Sequence, residues 1–152
     1  MRFQVIAAAL IVSLGASAAA LSAPGGGVRA RPDLVVNSLA NPPAVVSAGD
    51  GFSARDRTRN IGKATARATV TRYYLSKGGQ RTQVARRSVG LLKPGRSSAG
   101  SVAAKVPLTL DTGAYSLVAC ADAPGAVIET SEKNNCRTAA TRIVIKKPPP
   151  RV

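Results

Sequence analysis

Seven clusters of turn-forming residues punctuate this sequence at short intervals: Pro42-Pro43, Gly49-Asp50-Gly51, Asn60-Ile61-Gly62, Gly78-Gly79, Lys93-Pro94-Gly95, Asp111-Thr112-Gly113 and Pro124-Gly125. The segments between them are too short and too rich in valine and threonine for helices, which predicts strands. Strands are expected near Asp33 to Leu39, Gly51 to Arg59, Ala66 to Leu75, Gln83 to Val89, Ser98 to Val106, Ala114 to Ala121 and Cys136 to Ile145. Strands so closely spaced can bury their apolar faces only by pairing two sheets. The expected fold is therefore all-β, a single-domain immunoglobulin-like antiparallel β-sandwich of about seven strands.

The ends of the chain read differently. Arg2, an apolar run from Val5 to Leu14, and small residues through Ala23 follow the order of a secretory signal peptide, expected over residues 1–23. Ala16/Ala18 and Ala18/Ala20 both satisfy the cleavage preference. An uncleaved anchor is the other reading, since Phe3 to Leu21 is just long enough to span a bilayer. With the signal cleaved, no transmembrane segment is expected. Residues 24–31 (PGGGVRAR) read as a flexible lead-in and residues 146–152 (KKPPPRV) as a basic proline-rich tail, leaving residues 32–145 as the folded unit.

Cys120 and Cys136 are the only cysteines. Export makes a disulfide between them the expectation, contributing about 3 kcal/mol through the unfolded state. Asp111, Gly113 and Tyr115 form the D-x-G-x-Y pattern of a tyrosine corner, in which the phenol hydroxyl bonds to upstream backbone. Alternation from Tyr115 places Leu117 and Ala119 on one face and Cys120 on the other. The bridge is thus expected to join the last two strands near their loop, and not to cross between the sheets.

Lysine and arginine number 22 against 7 acidic residues, a net charge of +15. Alternation in the second expected strand sets Phe52, Ala54, Asp56 and Thr58 on one face and Ser53, Arg55, Arg57 and Arg59 on the other. The three arginines then form a row about 13 Å long that must face water or an anion, because burying them unpaired is too costly. Arg67, Arg72, Lys77, Arg81, Arg86, Arg87, Lys93 and Arg96 add charge whose convergence with the row is not legible. The row is either a solvated surface or an anion-binding one. An acidic protein, or an anionic glycan or lipid of the cell envelope, is a fitting partner. Nucleic acid fits less well, because single-strand recognition needs exposed aromatics and few are present.

Catalytic chemistry has little to work with. Histidine is absent, which removes Ser-His-Asp and Cys-His arrangements and histidine-bound metals. No catalytic residue, cofactor or metal is expected. The stretch Asp122 to Asn135 (DAPGAVIETSEKNN) is the one acidic patch. A calcium reading takes Asp122, Glu129, Glu132 and an asparagine carbonyl as ligands, but their spacing matches no calcium loop of defined ligand order. The favoured reading is structural: Glu129, Glu132, Asn134 and Asn135 cap the backbone of a long loop, with Val127 and Ile128 beneath it.

Several short stretches together resemble the bacterial cell-adhesion-related domain family, CARDB. They are Pro32-Asp33-Leu34-Val35-Val36, Asn60 and Gly62, Tyr73-Tyr74-Leu75-Ser76, Ala119-Cys120-Ala121-Asp122, and Glu129, Glu132, Asn134, Asn135 and Cys136 in their closing order. The resemblance runs from about Pro32 to Ile143. It implies a bacterial extracytoplasmic β-sandwich, secreted or periplasmic, with a role in adhesion or interaction and no catalytic residues. The leading expectation is a non-catalytic binding module that docks through its basic face. The alternative is a structural protein that self-associates through strand edges, its charge serving solubility.

Overall fold

Alternation of apolar and polar side chains decides which face of each strand is buried, and here it builds eight strands. They are β1 (Leu34–Leu39), β2 (Val45–Ser47), β3 (Gly51–Asn60), β4 (Thr69–Lys77), β5 (Gln80–Val89), β6 (Ser97–Lys105), β7 (Gly113–Cys120) and β8 (Cys136–Lys146). The structure is a computed structural model that describes Gly27 and residues 29–150. The expected signal peptide lies outside the described residues, as do residues 24–26 and 28 of the lead-in and the last two residues of the tail.

The strands form a three-stranded sheet, β1-β3-β6, and a five-stranded sheet, β2-β8-β7-β4-β5. Seven strands correspond to the expected ones. The eighth, β2, lies between two turn clusters and pairs in parallel with β8, through Val45–Val144 to Ser47–Lys146. Three residues are too few for alternation to reveal a strand, and its partner is distant in sequence. The remaining pairs are antiparallel. Two further boundaries differ from expectation. β4 begins at Thr69, Ala66 forming only an isolated bridge with Leu92, and β5 begins at Gln80, because Gly78 and Gly79 (φ 57° and 82°) close a two-residue hairpin turn.

Leu34 and Val36 of β1, Ala54 of β3 and Ala104 of β6 face Tyr73 and Leu75 of β4, Leu117 and Ala119 of β7, and Ile143 and Ile145 of β8 across one core. Each large side chain so buried contributes about 1.5 to 3 kcal/mol. Asn60 locks one end of this sandwich. Its Oδ1 accepts from the Asp33 and Gly62 amides at 3.1 and 3.0 Å, and its Nδ2 donates to the Ala64 and Leu92 carbonyls at 2.8 and 2.9 Å. Only glycine fits at position 62, where a Cβ would lie 2.5 Å from the Arg31 carbonyl oxygen and the Asp33 nitrogen. The tyrosine-corner geometry is present at the other end, the Tyr115 hydroxyl donating to the Asp111 carbonyl at 2.9 Å.

Candidate functional site

Arg55, Arg57 and Arg59 are all exposed on the outer face of the three-stranded sheet, while Ala54, Asp56, Thr58 and Asn60 between and beside them are buried. The cross-strand partners of the row on β6 are Ser101, Ala99 and Ser97, small residues that leave the guanidinium groups open to solvent. Ser53 and Ser101 pair beside it, hydroxyl to hydroxyl, at 2.8 Å. Among the described residues no carboxylate pairs with the row, the one salt bridge being Arg87 to Asp56.

Arg72 and Arg86 pair across β4 and β5, opposite in direction to the inward-facing Tyr73 and Arg87. They lie on the outer face of the five-stranded sheet. Arg81 lies there too, its Nη1 3.7 Å from Cys120 Sγ and its guanidinium 6.0 Å from the Tyr74 ring. Arg72, Arg81 and Arg86 thus lie on the opposite face of the sandwich from the arginine row, whereas Arg96 directly precedes Ser97, the cross-strand partner of Arg59.

Arg87 is a correction to the expectation that it adds to the dispersed charge. It turns inward between the sheets and clasps Asp56, Nε to Oδ1 at 2.7 Å and Nη2 to Oδ2 at 2.9 Å. The Tyr73 hydroxyl also donates to Asp56, as does Thr58 Oγ1 at 2.8 Å, and the Thr58 and Thr71 hydroxyls pair at 2.8 Å. Burial, and then the carboxylate it faces, push the Tyr73 hydroxyl well above the ordinary phenol value. Gly100, opposite Asp56 on β6, makes room for this arrangement, since a Cβ there would meet Arg87 Cδ at 2.6 Å. A charge on the apolar face of β3 was the signal for this polar pin, because a buried carboxylate requires a donor set from somewhere.

Cys120 and Cys136 are a register pair on β7 and β8, bridged at a Cα separation of 4.0 Å. The bridge closes the acidic loop at the strand ends. Asp122, buried and at φ 40°, accepts from the Ala126 and Val127 amides at 3.1 and 2.8 Å and from the Thr69 hydroxyl. Glu129, also buried, reaches across to β1 and accepts from the Leu34 amide. Glu132 Oε1 accepts from the Glu129 amide at 3.1 Å, the one glutamate cap that stays within the loop. The two asparagine side chains do not cap backbone as expected. Asn134 donates to the Asp33 carboxylate at 2.9 Å, and Asn135 to Glu129 Oε1 at 3.0 Å.

Val127 is buried beneath the loop, but Ile128 is 74% exposed, against expectation. Asp122 holds the Val127 amide at a bend in the chain, and the next side chain points to solvent. The Glu129 carboxyl is pushed up to about 7. Burial is the main cause, countered by the Leu34 amide and reinforced by Glu132, Asp122 and Asp33. No helix among the described residues is long and apolar enough to cross a membrane.

The CARDB family model matches residues 31–139. The crystal structure of the CARDB domain of the PF1109 protein from Pyrococcus furiosus, described as a complex with di-metal ions, is similar at a TM-score of 0.55 and 23% identity. That match covers 76% of this chain and 94% of that one. A solution structure of the same domain aligns at a TM-score of 0.52 and 22% identity, over 76% of this chain and 95% of that one. A domain of a putative cell surface protein from Methanosarcina acetivorans aligns at a TM-score of 0.54 and 24% identity, covering 76% and 93%. No curated protein matches in sequence. With the family model spanning both sheets and the disulfide-closed loop, the chain belongs to the CARDB family.

Proposed function

We propose that this protein is a secreted or periplasmic, non-catalytic interaction module that docks an anionic envelope component or an acidic protein through Arg55, Arg57 and Arg59. The observation that carries this reading is the contrast between buried and exposed arginines. Arg87 spends its charge on Asp56 inside the sandwich, whereas the three row residues stand exposed on one strand with no carboxylate partner among the described residues. A straight set of guanidiniums over a floor of serine and alanine offers several charge-assisted hydrogen bonds to phosphate, sulfate or carboxylate groups. Family membership supports an adhesion-related or interaction role, and the disulfide fits an oxidising compartment. Nucleic acid stays the weaker partner, because Phe52 points away from the row and no aromatic side chain stands beside it on β1, β3 or β6.

Self-association through strand edges has less support. The long edge strand β5 carries Arg81 and Arg86, charges that oppose edge-to-edge pairing. Retention of the full chain on phosphatidylglycerol vesicles and on polyglutamate resin, at low salt and at about 0.5 M salt, tests the proposal. R55S/R57S/R59S should elute at clearly lower salt than the parent. R86S/K133S/R142S, equal in charge change but away from the row, should elute close to the parent. Identical elution of the two variants, or retention indifferent to salt, refutes docking through this face.

A further inference from the structure

One carboxylate oxygen from each of Asp122, Glu129 and Glu132 can be chosen so that all three lie within 4.8 Å of one another. Calcium holds oxygen ligands at about 2.3 to 2.6 Å, so oxygens on opposite sides of one ion stand about 5 Å apart. These three therefore fit around a single ion. Two of the carboxylates are buried, and no lysine or arginine forms an ion pair with any of them among the described residues.

A second observation comes from a neutral side chain. Asn135 is 7% exposed, and its amide is aimed into the cluster, with Nδ2 3.0 Å from Glu129 Oε1 and 3.4 Å from Glu132 Oε2. Its Oδ1 is sealed from solvent and receives no hydrogen bond. A buried amide oxygen without a donor is costly. A half-turn exchanges the two ends of the amide, setting this oxygen against both glutamates as a ligand for a shared cation and moving Nδ2 to the sealed position. The cluster also has a route to solvent. Glu132 is exposed, and Asp122, Glu132 and Asn135 line an open concavity beside the disulfide.

We propose that Asp122, Glu129, Glu132 and the side-chain oxygen of Asn135 form a calcium site at the disulfide-closed end of the sandwich. The oxygen-only ligand set and the open side, which admits water ligands, suit calcium better than magnesium, whose octahedron is smaller and less tolerant. The site would join three parts of the chain. Asp122 is tied to Thr69 of β4, Glu129 to Leu34 of β1, and Asn135 directly precedes the bridged Cys136. Calcium would therefore tighten the attachment of the loop to both sheets. The site is independent of the arginine row.

The test is thermal unfolding and calorimetric titration of the full chain, stripped with EGTA and returned to calcium at constant ionic strength. Binding in the range of about 0.1 to 1 mM, usual for extracellular modules, is expected. At about 10 mM calcium the melting temperature should rise by roughly 5 to 10 °C. Glu132→Gln, at an exposed position that folding can spare, should melt near the parent in EGTA and lose most of the calcium-induced rise. R55S/R57S/R59S should keep the rise in full. No calcium-dependent shift in the parent, an equal shift with magnesium, or a full shift in Glu132→Gln would each overturn the site.

Discussion

Replacing Arg87 by methionine tests the polar pin between the sheets most directly. The Asp56 side chain is fully buried, and that of Arg87 is only 11% exposed, so the pair has little access to water. Methionine keeps much of the arginine stem but removes both guanidinium bonds, leaving the carboxylate with the Tyr73 and Thr58 hydroxyls alone. Removing one partner of a buried ion pair costs about 3 to 5 kcal/mol, because the remaining charge is uncompensated. For a domain of this size that is a fall of roughly 12 to 20 °C in melting temperature. Asp56→Asn alone should cost less, because Arg87 retains the Ser98 hydroxyl and carbonyl at 3.0 and 3.2 Å and can lean towards solvent. The double variant removes both charges, so its cost should fall short of the sum of the singles by at least about 2 kcal/mol. Urea unfolding at pH 7 followed by far-UV circular dichroism, with the disulfide intact, measures all three. A cost below about 1 kcal/mol for Arg87→Met, or additivity within about 0.5 kcal/mol, would refute the reasoning.

Two further outcomes follow from the same physics. Asn60→Ala strands the Asp33 and Gly62 amides and the Ala64 and Leu92 carbonyls, and should destabilise the fold by about 3 kcal/mol or more in urea unfolding. For Glu129, the folded state holds its proton up to about pH 7 while the unfolded chain releases it near the ordinary glutamate value. Stability therefore falls as pH rises between those values and levels off above the upper one. Measured in EGTA, the parent should lose roughly 2 to 4 kcal/mol relative to Glu129→Gln from about pH 4.5 to pH 8, and a difference flat with pH would contradict this.

Much of the fold was legible because the signals that specify it are local. Glycine, proline and asparagine clusters mark the turns by their own backbone preferences, and period-2 alternation assigns a face to each residue between them. The exposed arginines of β3, the Tyr115 to Asp111 bond and a disulfide joining the last two strands could all be anticipated in this way. The acidic loop was legible only as a composition. Its sequence names the carboxylates, but the partners of Glu129 and Asn134 are Leu34, the first residue of β1, and Asp33 just before it, about a hundred residues earlier in the chain.

Arg86 and Arg87 mark the boundary between the two kinds of information. From the tight turn at Gly78 and Gly79, uninterrupted alternation would oppose Thr82 to Leu75 and then carry Val84 and Arg86 to the inner face. Instead the register shifts between Tyr73 and Tyr74, so that Ala85 opposes Tyr73 and Arg87 opposes Thr71. That one-residue bulge reverses every later side chain of β5, sending Arg87 to Asp56 and Arg86 to solvent. The amino-acid sequence by itself determined an all-β chain, its turns and the alternation within most strands, since these rest on neighbouring residues. Only the tertiary structure decided the bulge, the parallel pairing of β2 and the gathering of Asp122, Glu129 and Glu132, because each depends on free energy shared between segments far apart in the chain.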